Sequence, residues 1–493
     1  MQLFKSVSFP ANDLFETNRV VTLAFGQKER DIYEQISPLT SFEIRKILGV
    51  SDYALLQQNA AIEQRNVSQY IKYRLSKKIT SQATHSKSDV TFKASKDLPF
   101  QRWYPYIEGY SPRFVESIIS RSQDDNNLIY EPFAGTGTTI FAADNMGINC
   151  CYSEINPLLR FLIDVKLSIL TLTDNKRKKL ASKVKESYLE IIGGNQVIDE
   201  ELLTTYRKVF KESEYFPKDT FKKILMLKNA IRKINEEIVA NILTVAVVSS
   251  LVAVSYLKKQ GDLRFKTEKE KQNEMRDLEH ILPKKIDEII EDILNFDYKA
   301  KGNHFCISEN AKDIAKSTKH RIGRVITSPP YLNGTNYIRN TKLELWFLGY
   351  LRSDKDLRYY RDEILTSGIN DVKSEYKKDT SILTKSSLLS STIDELEQKA
   401  YDARIPLMAK CYFNEMFIVF DGLRKHLVDG AQVFIDLGDS MFSGVHIKTD
   451  IILTEIFSAI GYKLISTETL RSRRSRNGQI LSQVLLSYKF KRT

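Results

Sequence analysis

One short segment has the residue types of a nucleotide-binding turn. Apolar residues 128–130 predict the end of a strand, residues 138–146 have the pattern of a helix, and the string EPFAGTGT lies between them. Gly135 and Gly137 let the backbone pass close to a ligand where a Cβ atom would collide, and a helix start presents unpaired N–H groups. The segment predicts a cofactor loop, although a two-glycine turn is a weak signal when it stands alone.

A carboxylate follows at the spacing expected of a ribose ligand. Residues 149–152 predict a second strand, and Glu154 stands at its end. In doubly wound sheets an acid about 20 residues beyond the glycine turn bonds the ribose hydroxyls. Glu154 could instead be a solvated charge at a strand end, but its distance from Gly137 in the sequence favours ribose binding.

A second string, TSPPY at residues 327–331, follows the strand-like run Arg324-Val-Ile-Thr. Two consecutive prolines fix φ and donate no N–H of their own, which leaves stiff, outward carbonyl groups. By itself such a tetrapeptide is more often a rigid turn than a catalytic loop. Because it lies downstream of a complete cofactor loop, we interpret it as a functional loop that acts together with the cofactor loop.

The two strings resemble the motifs of a known family. EPFAGTGT is similar to the cofactor loop, and TSPPY to the catalytic loop, of the S-adenosylmethionine-dependent amino-methyltransferases of DNA, the cytosine-N4 and adenine-N6 enzymes of the restriction-modification type. The resemblance extends upstream to RWYPYIEGYSPRFVESII at 102–119, which the family places near the methionine end of the cofactor. It covers residues 96–165 and 300–493, in the motif order of unpermuted members.

This resemblance implies the fold, the cofactor and the site residues. The fold class would be α/β, a Rossmann-like class I methyltransferase sheet of seven strands with a final antiparallel hairpin, a large helical insertion and an N-terminal helical region. The cofactor would be S-adenosyl-L-methionine. The residues at the catalytic-loop positions are Ser328, Pro329, Pro330 and Tyr331. The residues expected to bind the cofactor are Ser111, Glu131, Pro132, Phe133, Ala134, Gly135, Gly137, Thr138, Glu154 and Asn310.

Two of these positions depart from the family pattern. Glu131 opens the cofactor loop where Asp is commoner, so a longer side chain has to be placed near the methionine amine. Asn310, with Glu309 beside it, stands where the family usually has an aspartate that reads the adenine amino group.

The chemistry of an exocyclic amine explains the catalytic loop. Such an amine is a poor nucleophile because its lone pair is delocalised into the ring, so acceptors must be aimed at its N–H bonds. We predict that Ser328 and the carbonyl of Pro329 are these acceptors. Tyr331 would offer a flat face to a base that has been flipped out of the duplex. The protein would mainly orient the reactants.

The resemblance also implies the substrate, a base in double-stranded DNA methylated at a specific site. Serine at the first catalytic-loop position is associated in the family more with cytosine N4 than with adenine N6, so we favour cytosine N4. One alternative is an RNA base N-methyltransferase acting on guanine N2, although no RNA-binding module is recognisable. The other is a catalytically silent nucleic-acid-binding scaffold, against which the intact motifs argue. A cognate restriction endonuclease would be a separate chain.

The charge of the chain suits a polyanionic partner. Its 493 residues include 74 Lys and Arg against 62 Asp and Glu, a net charge of +12. Neutralising phosphates releases counterions, which supplies the sequence-independent part of DNA binding. Four arginines lie between two strand-like runs and predict a basic loop. We favour a loop that faces phosphates over one that is only solvated. These nucleic-acid-binding candidates are Arg471, Arg473, Arg474 and Arg476.

The chain divides into four parts around these anchors. Residues 1–95 predict amphipathic helices, either a helix-turn-helix reader of DNA or a helical cap. Residues 96–166 and 300–493 would form the catalytic domain. Residues 167–299 have helical spacing with almost no strand pattern and predict an insertion that recognises DNA or docks a partner. A basic cluster in it slightly favours DNA: Lys258, Lys259, Arg264 and Lys266.

Two further segments bear on this organisation. Residues 353–399 are rich in Ser, Thr and Lys and predict a mobile segment beside the active site that becomes ordered on DNA. Residues 238–257 have the length of a bilayer-spanning helix, but five polar residues interrupt them. We therefore predict a buried central helix in the insertion and no membrane association.

Cysteine usage and the start of the sequence fit an intracellular enzyme. Cys150, Cys151, Cys306 and Cys411 show no spacing typical of a disulfide frame or a zinc site, so no metal is expected. The adjacent pair Cys150 and Cys151 lies on a predicted buried strand, where we interpret both as core residues. The first residues, MQLFKSVSFPANDLFE, do not have the pattern of an export signal, and we expect a cytoplasmic protein.

Overall fold

The computed structural model describes residues 61, 90–106, 108–121, 128–194, 197–274, 276–295, 302–332, 335–474 and 478–492. The expected helical region therefore lies almost wholly outside the described residues, as does Arg476. The chain divides into two compact units. Residues 1–85 and 116–123 form one, and residues 86–115 and 124–493, which contain the sheet and the candidate site, form the other.

The strands of the described residues alternate with helices along the chain. The strands are β1 Leu128–Glu131, β2 Cys150–Tyr152, β3 Leu257–Gln260, β4 Asp262–Phe265, β5 His304–Cys306, β6 Ile322–Thr327, β7 Leu427–Gly438, β8 Ser440–Phe442, β9 Val445–Ile447, β10 Tyr462–Arg474 and β11 Ile480–Phe490.

The α-helices of the same residues are α1 Pro112–Ser120, α2 Thr138–Asn145, α3 Pro157–Leu170, α4 Asp174–Gly193, α5 Glu200–Phe210, α6 Lys218–Ile231, α7 Glu237–Ser250, α8 Glu268–Glu274, α9 Leu278–Asn295, α10 Lys342–Leu348, α11 Asp354–Glu363, α12 Ser387–Lys399, α13 Arg404–Leu423 and α14 Thr449–Ser458. Five short 3₁₀ helices are Phe92–Ser95, Ala311–Lys316, Arg339–Thr341, Ser374–Lys377 and Ser381–Lys385.

Seven of the described strands form one mostly parallel sheet. Their order is β10-β11-β7-β6-β1-β2-β5. The pairs among β7, β6, β1, β2 and β5 are parallel, and β11 runs antiparallel to both β7 and β10. All six residues of β6 are buried, as expected of a parallel strand covered on both faces. The seven strands and the final antiparallel hairpin confirm the predicted α/β sheet.

The helical insertion packs into the catalytic part of the chain. Trp346 of α10 is fully buried, and its indole N–H donates to the carbonyl of Leu202 in α5 at 3.2 Å. The ring of Tyr206 lies 5.1 Å from the same indole. The predicted boundary after Lys166 falls inside α3, whose apolar face continues through Ile169 into this shared core. The insertion and the catalytic part therefore share one hydrophobic core.

Within the insertion, the structure differs from the predicted all-helical pattern. Strands β3 and β4 form a two-stranded hairpin around Gly261. Its sequence, LKKQGDLRF, is too rich in charged residues to show the alternation of apolar and polar residues that predicts a strand. The predicted buried central helix is present as α7, but it ends at Ser250 rather than near Leu257. None of the helices that the structure describes is long and apolar enough to cross a membrane.

The basic cluster of the insertion is bound internally. Lys258 Nζ lies 2.7 Å from Glu274 and 3.1 Å from Glu270, and Arg264 donates to Glu270 at 2.7 Å. Lys266 is buried, and its ammonium donates to the carbonyl of Ser255 at 2.7 Å. Because these cations already face carboxylates or carbonyls, the cluster does not support the preference for DNA that the sequence suggested.

The segment 353–399 is largely helical in the structure, and its mobility before DNA binds stays a prediction. It contains α11 and α12, and Leu389, Ile393 and Leu396 of α12 are buried in the core that α12 shares with α13 and β9. The ammonium of Lys373 pairs with the fully buried Glu415 of α13. The segment is rich in Ser, Thr and Lys, but its leucine and isoleucine residues recur at helical spacing, which the sequence analysis did not recognise.

Among the cysteines, Cys150 and Cys151 lie buried in β2, as predicted.

Candidate active site

The segments that follow four neighbouring strands line one cavity of about 300 Å³. In sheet order β6, β1, β2 and β5, the first residue after each strand that lines the cavity is Ser328, Pro132, Glu154 and Asn310, respectively. Ligands of open α/β sheets bind in a crevice at the carboxyl ends of the strands. The two sequence motifs, although 190 residues apart, therefore meet in one site.

The cofactor loop needs its first glycine for steric reasons. Gly135 has φ +55°, and a Cβ atom there would lie 2.9 Å from Cε1 of Tyr106. The N–H of Gly135 donates to Glu154 Oε2 at 2.7 Å. Below the loop, the buried ammonium of Lys166 donates to the carbonyl of Thr136 at 3.1 Å, and burial lowers the pKa of Lys166 to about 7. Lys166 was not predicted, since its place in a helical pattern carries no signal.

Glu154 is oriented by two backbone donors. Its Oε2 accepts from Gly135, and its Oε1 accepts from the N–H of Asn156 at 2.9 Å. Burial raises the pKa of Glu154 to about 7, although both hydrogen bonds act in the opposite direction. Each carboxylate oxygen keeps further acceptor capacity towards the cavity that it lines. This arrangement fits the pair of hydroxyls on a ribose.

Most of the predicted site residues line the cavity, and several do not. Those that line it are Pro132, Phe133, Ala134, Gly135, Thr138, Glu154, Asn310, Ser328, Pro329, Pro330, Tyr331 and Arg471. Those outside its wall are Ser111, Glu131, Gly137, Arg473 and Arg474.

Glu131 lies beneath the loop and not on the cavity wall. Its carboxylate accepts from the hydroxyl of Tyr110, from Thr139 Oγ1 at 2.7 Å and from the N–H of Phe133 at 3.2 Å. Burial raises its pKa to about 7. Ser111 is also buried, and its Oγ accepts from the N–H of Phe114 at the start of α1. Both side chains form hydrogen bonds within the protein, and their contact with the cofactor stays a prediction.

Asn310 shares its wall of the cavity with a carboxylate that the sequence did not reveal. Its Nδ2 donates to Glu363 Oε2 at 2.9 Å, and its Oδ1 accepts from the N–H of Lys312 at 3.0 Å. Glu363, the last residue of α11, also lines the cavity. An acid therefore stands beside Asn310, close to where the family pattern has an aspartate.

The catalytic loop is tied into a polar network on strands β7 and β11. Ser328 Oγ donates to Tyr331 Oη at 3.3 Å, and Gln483 Nε2 donates to the same oxygen at 3.0 Å. Gln483 Nε2 also lies 2.7 Å from Oδ1 of Asp436. The Tyr331 hydroxyl contacts Asp436 in turn. Burial raises the pKa of Asp436 to about 7.

Asp436 and Gln483 were missed by sequence reasoning. Asp436 is a single acid inside the buried apolar run of β7, which is the signal that could have drawn attention to it. Gln483 carries no comparable signal, because a polar residue in an alternating strand is ordinary.

The predicted arginine loop is part of a strand. Arg471, Arg473 and Arg474 belong to β10, where Arg471 pairs with Gln483 and Arg473 with Leu481 of β11. All three side chains are exposed. Arg471 reaches the cavity, and its charge acts to lower the pKa of Asp436. The long hairpin, not a loop, positions these guanidinium groups, because the strand-like runs on either side extend through them.

The mostly parallel sheet and this site, with a glycine turn, a ribose-type acid and an SPPY loop on adjacent strands, are consistent with a Rossmann-like methyltransferase. Comparison with known proteins identifies relatives of that kind. The chain is 26% identical to Type II methyltransferase M.AvaI of Nostoc sp. over 464 residues, which covers 86% of this chain and 93% of that protein. It is 23% identical to M.BsoBI of Geobacillus stearothermophilus over 444 residues, which covers 80% and 85%.

A third Type II methyltransferase, M.MjaII of Methanocaldococcus jannaschii, is 25% identical over 234 residues, which is 44% of this chain and 42% of that protein. No protein-family model matches the chain, and no solved structure gives a significant match. The three relatives confirm the resemblance to restriction-modification methyltransferases that the two motifs predicted.

Proposed function

We propose that this protein is a site-specific DNA methyltransferase that moves the methyl group of S-adenosylmethionine to an exocyclic amine of a flipped base, with cytosine N4 favoured over adenine N6. The observation that carries the proposal is the single cavity shared by the glycine turn, Glu154 and the SPPY loop. The names of the relatives, Type II methyltransferases, support DNA as the substrate. Serine at position 328 supports cytosine.

The residues of the cavity fit the proposed cofactor. Glu154 offers acceptors to ribose hydroxyls, and Gly135 leaves the close approach that a Cβ atom would block. Asn310 and Glu363 stand at the end where a base would lie. Bound there, S-adenosylmethionine would supply an electrophilic methyl group on a positively charged sulfur.

The catalytic loop would hold the amine and dispose of its proton. Ser328 Oγ and the carbonyl of Pro329 would accept from the two N–H bonds, which favours a tetrahedral nitrogen with an available lone pair. When the new C–N bond forms and the C–S bond breaks, the nitrogen becomes cationic and must release a proton. The hydroxyls of Ser328 and Tyr331 lead from that nitrogen to the Asp436 carboxylate.

The test is to express the chain in a host without its own DNA methylation and to analyse DNA and RNA nucleosides by mass spectrometry. We expect N4-methylcytosine in DNA, and none with Ser328→Ala. N6-methyladenine would correct the base but keep the reaction class. N2-methylguanine in RNA, or no methylation of either polymer by a protein that binds S-adenosylmethionine, would overturn the proposal in favour of the RNA enzyme or the silent scaffold.

Sequencing the modified DNA gives the recognition site in the same experiment. A separate nuclease chain that cuts the unmodified site and spares the modified one is the expected biological partner.

The described residues contain no group of three or more His, Cys, Asp or Glu that could hold a metal ion.

A further inference from the structure

The order of the cavity walls gives a direction to the bound cofactor. Along the sheet edge, Asn310 follows β5, Glu154 follows β2, Gly135 follows β1 and Ser328 follows β6. With the ribose at Glu154, the base points towards Asn310 and the reactive sulfur towards Ser328. The amino-acid end of the cofactor then lies on the β1 side, where Tyr106, Glu108, Gly109 and Tyr110 line the cavity.

That side of the cavity holds an ion pair made by two distant segments. Lys259 Nζ of strand β3 lies 3.1 Å from Glu108 Oε2, and the side chains are 12% and 15% exposed. Both residues line the cavity. The same ammonium is 5.6 Å from the ring centroid of Tyr106, the ring that covers Gly135. The pair therefore stands next to the cofactor loop.

The hairpin that carries Lys259 is held in place by hydrogen bonds to Asn340. The N–H of Leu263 donates to Asn340 Oδ1 at 2.9 Å, and Asn340 Nδ2 donates to the carbonyl of Gly261 at 2.9 Å. Lys259 pairs with Leu263 across the hairpin. Its neighbour Lys258 belongs to the opposite face of the strand and pairs with Glu270 and Glu274.

We propose that Lys259, contributed by the helical insertion, binds the α-carboxylate of the cofactor's methionine moiety, and that Glu108 receives its α-ammonium group. This inference rests on the proposed function, since it names residues for the same cofactor. A zwitterion carries one charge of each sign, so a partly buried pair of opposite charges can exchange its internal contact for two charge-assisted ones.

The other cations on the cavity wall are poorly placed for this task. Lys312 stands beside Asn310 at the base end, 4.0 Å from Glu415. Arg471 lies beside Asp436 on the catalytic-loop side. The insertion thus has a role in cofactor binding, which the sequence reasoning did not consider.

The test is isothermal titration calorimetry of purified full-length variants with three ligands. S-adenosylhomocysteine carries both charges, decarboxylated S-adenosylmethionine lacks the carboxylate, and methylthioadenosine lacks the whole amino-acid end. We expect Lys259→Met to weaken S-adenosylhomocysteine by about 10–100-fold, with less than about a 2-fold change for the other two. Glu108→Gln should weaken the first two ligands and spare methylthioadenosine.

Lys258→Met is the matched control and should bind all three ligands as the wild type does. Thermal unfolding of each variant reports whether the hairpin is intact. An equal loss for all three ligands with Lys259→Met would assign the residue a structural role and overturn the proposal, as would no loss for any. If the wild type binds none of the ligands, the proposed function itself fails, and the two failures are distinguishable.

Discussion

A methyl group added at Gly135 should block cofactor binding more than it harms the fold. In Gly135→Ala the new Cβ would lie 2.9 Å from Cε1 of Tyr106, closer than carbon atoms pack. The ring must move, and its free side is the cavity it lines. We expect the affinity for S-adenosylhomocysteine to fall by about 10–100-fold, a loss of about 1.4–2.8 kcal/mol.

Gly349→Ala separates this steric effect from backbone strain. Gly349 also has a positive φ, +89°, at the end of α10, but a Cβ there meets nothing within 4 Å. An L-residue in the left-handed region costs about 1–2 kcal/mol, so both variants should lose roughly that much free energy of unfolding in urea titrations. Titration calorimetry then measures binding in each. Wild-type affinity in Gly135→Ala, or an equal loss of affinity in Gly349→Ala, would refute the reasoning.

Three further predictions concern protons and DNA. If Asp436 takes the amine proton, the single-turnover methylation rate of the wild type should rise with pH through about 7, the folded pKa of Asp436. Asp436→Asn should be slow, with a rate that does not depend on pH in this range. A variant with the same pH profile as the wild type would contradict the proton relay. Glu131, Glu154, Glu344 and Asp436 all have pKa values raised by burial to about 7, so the folded protein holds protons that the unfolded chain releases near pH 4. The free energy of unfolding should therefore fall between about pH 5 and 7, by at most about 1.4 kcal/mol per pH unit for each group. A rise over this range, measured by urea titration, would exclude this. Arg473→Ala should weaken binding to all DNA sequences alike and reduce the slope of log K against log salt by about 1, whereas an effect confined to one sequence would mean that Arg473 reads bases.

The parts of the site that the sequence predicted depend on local spacing. Gly135 and Glu154 could be assigned because a strand, a tight turn and a second strand fix their separation. The seven-stranded sheet was implied by the resemblance to the amino-methyltransferases, and the alternation of strands and helices agrees with it. Ser328 and its two prolines were recognisable as a rigid loop by their composition alone.

The parts that sequence reasoning missed depend on contacts between distant segments. Asp436 and Gln483 meet Tyr331 only because β7 and β11 pair next to β6. Lys259 was grouped with cations expected to face DNA. The short hairpin that positions Lys259 lacks the apolar alternation by which a strand is recognised in a sequence. Glu131 shows the converse, since its position in the motif predicts a cofactor contact while its side chain faces the interior. Side-chain direction follows from packing, which the spacing of a motif does not encode.

The position of β11 sets a condition on when the candidate site can be completed during synthesis. Among the described strands β11 comes last along the chain, yet in the sheet it lies inside the edge, between β7 and β10. During synthesis, the N-terminal parts of a chain emerge and fold first, at about 5–20 residues per second. Until β11 arrives, the edge of β7 stays open and β10 has no neighbour in the sheet. Gln483 arrives on that same strand, so a growing chain cannot complete the contacts of Tyr331 and Asp436 before it also closes its sheet.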